Sequence, residues 1–252
     1  MRKKLMILAT LAGIIAAYAG SAYSGTAPAS GIYQSAHDIR QSMKLDEVQD
    51  RLCAYCHTPH HAITTDLGPL WSHARSEQTP APYSSPSFDG KGIDIADPYV
   101  GDTRLCMSCH DGTVAVDSYY GITGQNMIPT GSTFGDNPNL GTDMSQNHPI
   151  GFDLLTVISE GKSPNLNTGL NANSTYLGNA NTTVTVGSRL FGNSIMTCRT
   201  CHDVHNQKND TSNSIKTGTN HYFLLGGQLN SALCITCHNQ AGDNATGVPV
   251  TY

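Results

Sequence analysis

Apolar residues are spread thinly along this chain, and few stretches follow the period of a helix or a strand. Leu45, Val48 and Leu52 fall at spacings of three and four, which predicts one face of a short helix over 45–52. Apolar and polar residues alternate around a glycine over 182–191, which predicts one small β-hairpin. We therefore expect a chain with little regular secondary structure.

Loop signals dominate the remaining sequence. Proline, glycine, asparagine and serine recur through residues 62–105 and 111–147, a composition typical of turns and loops. Two more short helices are expected to begin at residues that cap helices well, namely Asp102 or Thr103, and Asn230 or Ser231. The pattern predicts one mostly irregular domain over 25–252 with a few short α-helices.

Residues 1–24 have the pattern of a secretory signal peptide. Three positive residues precede an apolar run over 5–17, which is too short to span a bilayer. Small residues follow, and cleavage is expected before Gly25, with an uncleaved anchor as the alternative. We therefore expect the mature chain to be exported, either to the cell surface and medium or to the periplasm, without a membrane span.

Composition narrows the classes of function. Only 13% of the residues are charged and 7% are aromatic, a thin supply for a core made of side chains alone. The formal net charge is −5, and loss of the leader brings it near −8. An acidic chain of this kind is a poor nucleic-acid binder, since that role needs a basic face. Cationic partners, metal ions and oxide minerals remain open.

The eight cysteines all lie in four Cys-x-x-Cys-His boxes, which we number in chain order: 53–57, 106–110, 198–202 and 234–238. This box is the attachment signature of a c-type haem. The two thiols bond to the haem and the histidine binds its iron as the proximal ligand. Disulfides or zinc sites are the alternatives, but neither requires a histidine directly after every pair.

The sequence therefore predicts a haem-cored fold with four covalently bound haem c groups. The cysteines expected to hold them are Cys53, Cys56, Cys106, Cys109, Cys198, Cys201, Cys234 and Cys237. The proximal iron ligands are expected to be His57, His110, His202 and His238. Each should donate its other ring nitrogen to a carbonyl or a carboxylate, which fixes the ring. The only tryptophan, Trp71, is expected to pack on a haem or on the core, with a direct redox role as the alternative.

Histidines outside the boxes are the candidates for the second, distal ligand of each iron. Seven are present, enough to close all four irons with two histidines each, which favours electron transfer over catalysis at iron. Methionine ligation is the alternative, with Met43, Met127, Met144 and Met196 as candidates. Methionines more often fill gaps in a core.

His60 and His205 each follow a proximal histidine by three residues. A side chain at that distance emerges on the same side of its own haem, so we expect it to bind the iron of a different haem. His61 is then a spare neighbour of His60. The roles of the others are open from the residues alone: His37 and His148 as distal ligands, His73 and His221 as surface or supporting residues.

Longer motifs around the boxes resemble those of tetrahaem cytochromes that polymerise into extracellular nanowires. The matching stretches are 53–60, 105–115, 147–150, 198–205 and 233–238, with His37-Asp38 near the start. This chain departs from the family pattern at two positions. His61 is an additional histidine, and Val204 stands where the family often has proline. The resemblance spans most of the mature chain.

The resemblance implies distal ligands at His37, His60, His148 and His205, with His61, His221 and His73 in reserve. It also implies an unbroken line of stacked and T-shaped haem pairs. In that family one distal histidine reaches into the neighbouring subunit, and His37 on the N-terminal arm is the expected donor here. The expected function is a homopolymeric electron-conducting filament that exchanges electrons with redox proteins or extracellular acceptors.

Two other functions are consistent with the boxes. A monomeric periplasmic electron shuttle would hold all eight iron ligands within one chain. A multihaem reductase would need an iron with an open position and acid or base groups beside it. Every box ends in an ordinary histidine and enough distal candidates exist to close every iron, so we expect no enzyme.

Overall fold

The fold was examined in a computed structural model. It describes residues 31–33, 35, 37–43, 45, 51–63, 70–86, 92–128, 138–163, 166–167, 169–177, 184–205, 223–225 and 232–239. The signal peptide at 1–24, most of the expected helix at 45–52, the two capping candidates Asn230 and Ser231, and His221 lie outside these residues.

Short helices separated by long loops make up the part of the chain that the structure describes. The α-helices are α1 (Ile39–Ser42), α2 (Thr103–His110), α3 (Leu154–Ser159), α4 (Cys198–Cys201) and α5 (Ala232–Cys237), with one 3₁₀ turn at Gly187–Arg189. Three of them, α2, α4 and α5, contain residues of the second, third and fourth boxes. Within the described ranges, no helix has the length and apolar character needed to cross a membrane.

The start of α2 differs from the expectation in one respect. Asp102 occupies the capping position, but its side chain makes no capping hydrogen bond. Its carboxylate instead lies 3.2 Å from Nε of Arg199 in α4. The predicted start of the helix and its capping residue are therefore confirmed, but the carboxylate pairs with a cation from another part of the chain and makes no capping hydrogen bond. The result is an ion pair that joins the second and third boxes.

The predicted hairpin over 182–191 is also misplaced. Residues 175–177 pair with 184–186 in antiparallel fashion, through Leu177 N to Val184 O (3.0 Å) and Val186 N to Thr175 O (2.9 Å). Gly187 begins the 3₁₀ turn. Alternation identified one strand of the pair correctly, but its partner lies on the N-terminal side.

Two apolar clusters position the boxes. The larger contains Phe152 and Leu154, and the partly buried Cys201 and Cys237 of the third and fourth boxes pack against it. The smaller consists of Tyr99, Met107 and Met144 beneath the second box. The second, third and fourth boxes therefore pack against these clusters.

Gly101, just before α2, permits a close approach between two box regions. Its φ is +61°, and a Cβ there would lie 2.6 Å from the ring of Phe191. Any other residue would push this ring away. The segment leading to the second box therefore packs directly on the segment leading to the third.

Candidate haem-binding site

Each box forms a single helical turn. The histidine amide donates to the carbonyl of the first cysteine in the first, third and fourth boxes, at 2.8, 3.0 and 2.9 Å. The second box lies inside α2. Residues at i, i+3 and i+4 share one face of a helical turn. This geometry places both thiols and the imidazole of a box on the same side, which is what attachment to one flat macrocycle requires.

The thiols of successive boxes lie near one another. Cys56 and Cys109 are close enough for the charge of one to raise the pKa of the other. Cys106 and Cys198 share a hydrogen bond, and Cys237 raises the pKa of Cys201 in the same way as Cys56 acts on Cys109. All eight cysteines are free thiols. The first box thus adjoins the second, the second the third, and the third the fourth.

Burial acts on several of these thiols. It raises the pKa of Cys56 to about 11, that of Cys201 to about 12 and that of Cys237 to about 11.

Three proximal histidines each face a histidine from elsewhere in the chain. The ring centroids are 5.9 Å apart for His110 and His37, and 6.1 Å apart for His57 and His205. The third pair, His238 and His148, is also separated by 6.1 Å. Two metal–imidazole bonds of about 2 Å, with half a ring beyond each, place the centroids of two axial histidines about 6 Å apart. These three separations fit one iron between each pair.

The outer ring nitrogens of two of these histidines contact backbone carbonyls. Nδ1 of His110 lies 2.7 Å from the carbonyl oxygen of Pro138, and Nδ1 of His148 lies 2.9 Å from that of Pro149. A ring that donates from Nδ1 presents the lone pair of Nε2 to a metal. The contacts therefore select the tautomer and the ring orientation that iron ligation needs.

His37 lies inside its own chain, between the second and third boxes. Phe223 packs edge-on against its ring at 4.8 Å, and Nδ1 is buried without a hydrogen-bond partner. Burial, then the nearby His110 and His202, lower the pKa of His37 to about 3, so the ring is neutral. His37 was the residue expected to serve a neighbouring subunit, whereas here its ring lies beside that of His110 in the same chain.

His60 and His61 are both exposed beside the first box. The amide of His60 donates to Oγ1 of Thr58 at 3.4 Å. The ring of His61 instead contacts that of Tyr120 at 6.2 Å. Among the described residues no contact joins His60 to His202, and the reserve candidate His221 lies outside them, so the pairing of His60 with His202 stays a prediction.

His73 does not lie at the surface, which was one of its two expected settings. Its side chain is 1% exposed, because the ring is enclosed between the first and second boxes. The ring nitrogens lie 2.6 Å from the carbonyl oxygen of Ala74 and 3.1 Å from that of Ala115. Nε2 is also 3.5 Å from the sulfur of Cys109. This contact makes His73 a supporting residue of the second box.

Trp71 packs between the two histidines of this region. Its ring centroid is 6.1 Å from that of His57 and 6.3 Å from that of His73. Its backbone also pairs with that of His57. The methionine candidates Met144 and Met196 are 4% and 7% exposed within the two apolar clusters, which is a packing role.

Sequence reasoning missed the residues that hold the third box. Nε of Arg189 donates to the carbonyl of Arg199 and Nη2 to that of His202, both at 3.0 Å. Nη1 lies 3.5 Å from the carboxylate of Asp203. The signal available in the sequence was Asp203 itself, an aspartate two residues before a histidine, which is a common turn arrangement.

Over the described residues, no group of three or more His, Cys, Asp or Glu side chains is arranged to hold a bare metal ion. A haem iron needs fewer ligands from the protein, because the macrocycle supplies four and the protein only two. The histidine pairs, the buried Nδ1 of His37 and the two thiols on one turn of each box are compatible with that requirement. A scan against protein-family models and a search of curated proteins each found no match to this chain.

Proposed function

We propose that this chain is an electron-transfer protein that carries four covalently bound c-type haems, each with two histidine ligands, and that it is the subunit of an extracellular electron-conducting filament. The observation that carries the ligation part of the proposal is the separation of three proximal histidines from three distal candidates by 5.9 to 6.1 Å. The filament part rests on the resemblance of the motifs around the boxes. The fourth pair proposed is His202 with His60.

The residues of the chain divide this work between them. The cysteines of each box anchor one edge of a haem, and the two histidines close both faces of the iron, so that small substrates are excluded. When bound, haem supplies a reversible one-electron iron couple. The carbonyls of Pro138 and Pro149 orient two of the ligand rings.

The contacts between boxes support electron transfer along the chain. Thiols of the first and second, second and third, and third and fourth boxes adjoin one another. Haems attached at adjoining thiols would lie side by side. One subunit would then carry electrons from the first box to the fourth without a mobile carrier.

The direct test uses the exported holoprotein. A haem assay should give four haems per chain, and the visible and electron paramagnetic resonance spectra should show low-spin iron throughout. Zinc in place of haem, or fewer than four haems in fully matured protein, would refute the proposal. Serine in place of both cysteines of one box should remove one haem and leave the others.

The structure also favours a second candidate, a monomeric electron shuttle in the periplasm. Its specific support is His37, whose ring centroid lies 5.9 Å from that of His110 in the same chain. With that pairing the second box needs no ligand from a neighbouring subunit. Electron microscopy of the secreted fraction separates the two. Filaments support the conductor, and dispersed particles at native concentration support the shuttle.

A further inference from the structure

Asp203 links the third box to the distal candidate that follows it. Oδ1 of Asp203 accepts the amide N–H of His205 at 2.9 Å, which closes a tight turn. The same oxygen lies 3.6 Å from Nδ1 of the His205 ring. That separation is slightly longer than a hydrogen bond, so the carboxylate acts on the ring mainly through its charge.

Arg189 fixes the position of this carboxylate. Its guanidinium spans the box from the carbonyl of Arg199 to that of His202, and it pairs with the other oxygen of Asp203 at 3.5 Å. The side chains of Arg189 and Asp203 are 20% and 28% exposed, so both are partly withdrawn from solvent. The carboxylate is therefore held between a cation and an imidazole.

A negative charge beside Nδ1 favours the tautomer that carries its proton there. The lone pair is then on Nε2, the nitrogen that ligates a metal when Nδ1 is occupied. Electron donation from such a ring, together with the nearby negative charge, stabilises the oxidised form of an iron relative to the reduced form.

We propose that Asp203 is a positioning residue for His205 and that it lowers the reduction potential of the haem held between His205 and His57. This inference rests on the proposed function, because it requires a haem at the first box. The aspartate of one box would thereby tune the haem attached at another.

The chain contains a matched control at Asp97. Oδ1 of Asp97 accepts the amide N–H of Tyr99, two residues later, at 2.8 Å, and Oδ2 pairs with Arg104 at 3.0 Å. This is the arrangement of Asp203 with a tyrosine in place of the histidine. Asp97→Asn therefore keeps the turn acceptor and removes an equivalent charge pair with an arginine, but takes no carboxylate away from an imidazole.

The test compares Asp203→Asn with Asp97→Asn in the four-haem protein by optical redox titration. In Asp203→Asn one haem should become easier to reduce, with a reduced-to-oxidised ratio at fixed potential about tenfold higher, which equals about 59 mV for one electron. Asp97→Asn should leave this haem within about twofold of the wild-type ratio, about 18 mV. The electron paramagnetic resonance signal of the shifted haem should also change, which loss of packing alone would not produce.

If the asparagine variant fails to mature, Asp203→Thr replaces it. Threonine at this place copies Thr58 of the first box, whose Oγ1 accepts the amide of His60, so the turn is kept while the charge is lost. The same rise is expected. Identical titration curves for the Asp203 and Asp97 variants, with four low-spin haems present, would overturn the inference alone. A wild-type protein without bis-histidine haem would overturn the proposed function itself.

Discussion

The first and third boxes have the same spacing, with a second histidine three residues after the proximal one, and each is held by the same backbone pairing to a later segment. In the first box Thr58 N donates to Leu70 O at 2.8 Å and Ser72 N donates to Cys56 O at 2.9 Å, and in the third Asp203 N donates to Phe223 O and Leu225 N to Cys201 O, both at 2.8 Å. They differ in what is added: the third box has the further support of the Arg189 guanidinium and its pair with Asp203.

The difference has a physical consequence for what a substitution can do. A backbone pairing survives the exchange of most side chains, whereas a guanidinium that serves two carbonyls and a carboxylate is lost in one step. Charged side chains also project a field onto nearby groups, and neutral backbone pairing does so only weakly. We therefore expect the third box to be the more strongly tuned of the two, while its backbone pairing survives the loss of the arginine.

The largest effect is expected from removal of the distal histidines. His205→Ala should leave the haem of the first box five-coordinate, because His205 faces His57 and not its own proximal His202. One haem of the four should become high-spin and, when reduced, bind carbon monoxide. Optical spectra with and without carbon monoxide provide the measurement.

His60→Ala is the reciprocal change, and it should leave the haem of the third box five-coordinate instead. His61→Ala is the matched control, since His61 is the adjacent residue and contacts Tyr120. Four low-spin haems in His205→Ala would contradict the pairing of His205 with His57.

The sequence predicts the local geometry of the boxes well because that geometry is set by residue spacing. Spacing of three and four residues is enough to place two thiols and an imidazole on one helical turn, and the structure contains that turn at each box. The argument that a histidine three residues beyond cannot cross its own haem is also local, and His205 does lie opposite a different box.

Contacts across long loops were not predictable from the sequence in the same way. Nothing near His37 in the chain indicates that it faces His110, and nothing near His73 indicates that its ring is enclosed. Asp102 has the sequence features of a helix cap, but its carboxylate pairs with Arg199, which belongs to a distant segment of the chain. In each case the deciding partner lies far along the chain, and local propensity carries no information about it.

A smaller effect is expected from Arg189→Met. The change keeps much of the apolar stem but leaves two carbonyls and the carboxylate of Asp203 without their donor. The loss of unfolding free energy should be about 2 to 3 kcal/mol, in the range for bonds from a charged donor. Urea unfolding followed by circular dichroism measures it.

Arg104→Met is the control for that variant. Arg104 makes an equivalent set of contacts, to the carbonyls of Ser76 and Gln78 and to the carboxylate of Asp97. A similar loss of stability is expected, but the spectrum of the haem between His57 and His205 should change only in Arg189→Met. An unchanged spectrum in both variants would mean that the two arginines differ only in location.

Thr58→Val tests the first box and should cost less. Oγ1 of Thr58 donates to the carbonyl of His60 at 2.6 Å, and the residue is 2% exposed. Loss of this bond, and of the longer one that Oγ1 accepts from the amide of His60 at 3.4 Å, should destabilise the protein by about 1 to 2 kcal/mol. Because the backbone pairing with Leu70 persists, all haems should remain low-spin. A high-spin haem in Thr58→Val would show that the hydroxyl, and not the backbone, holds this box.

The smallest effect is expected from His61→Gly, which removes the spare histidine of the first box. His61 has a φ of +59°, a left-handed conformation that costs a residue with a side chain about 1 to 2 kcal/mol. Glycine relieves that strain but adds about 0.5 to 1 kcal/mol of unfolded-state entropy, so stability should rise by about 1 kcal/mol or less. All four haems should stay low-spin. A loss of low-spin signal would instead make His61, and not His60, the ligand that the first box contributes to the third.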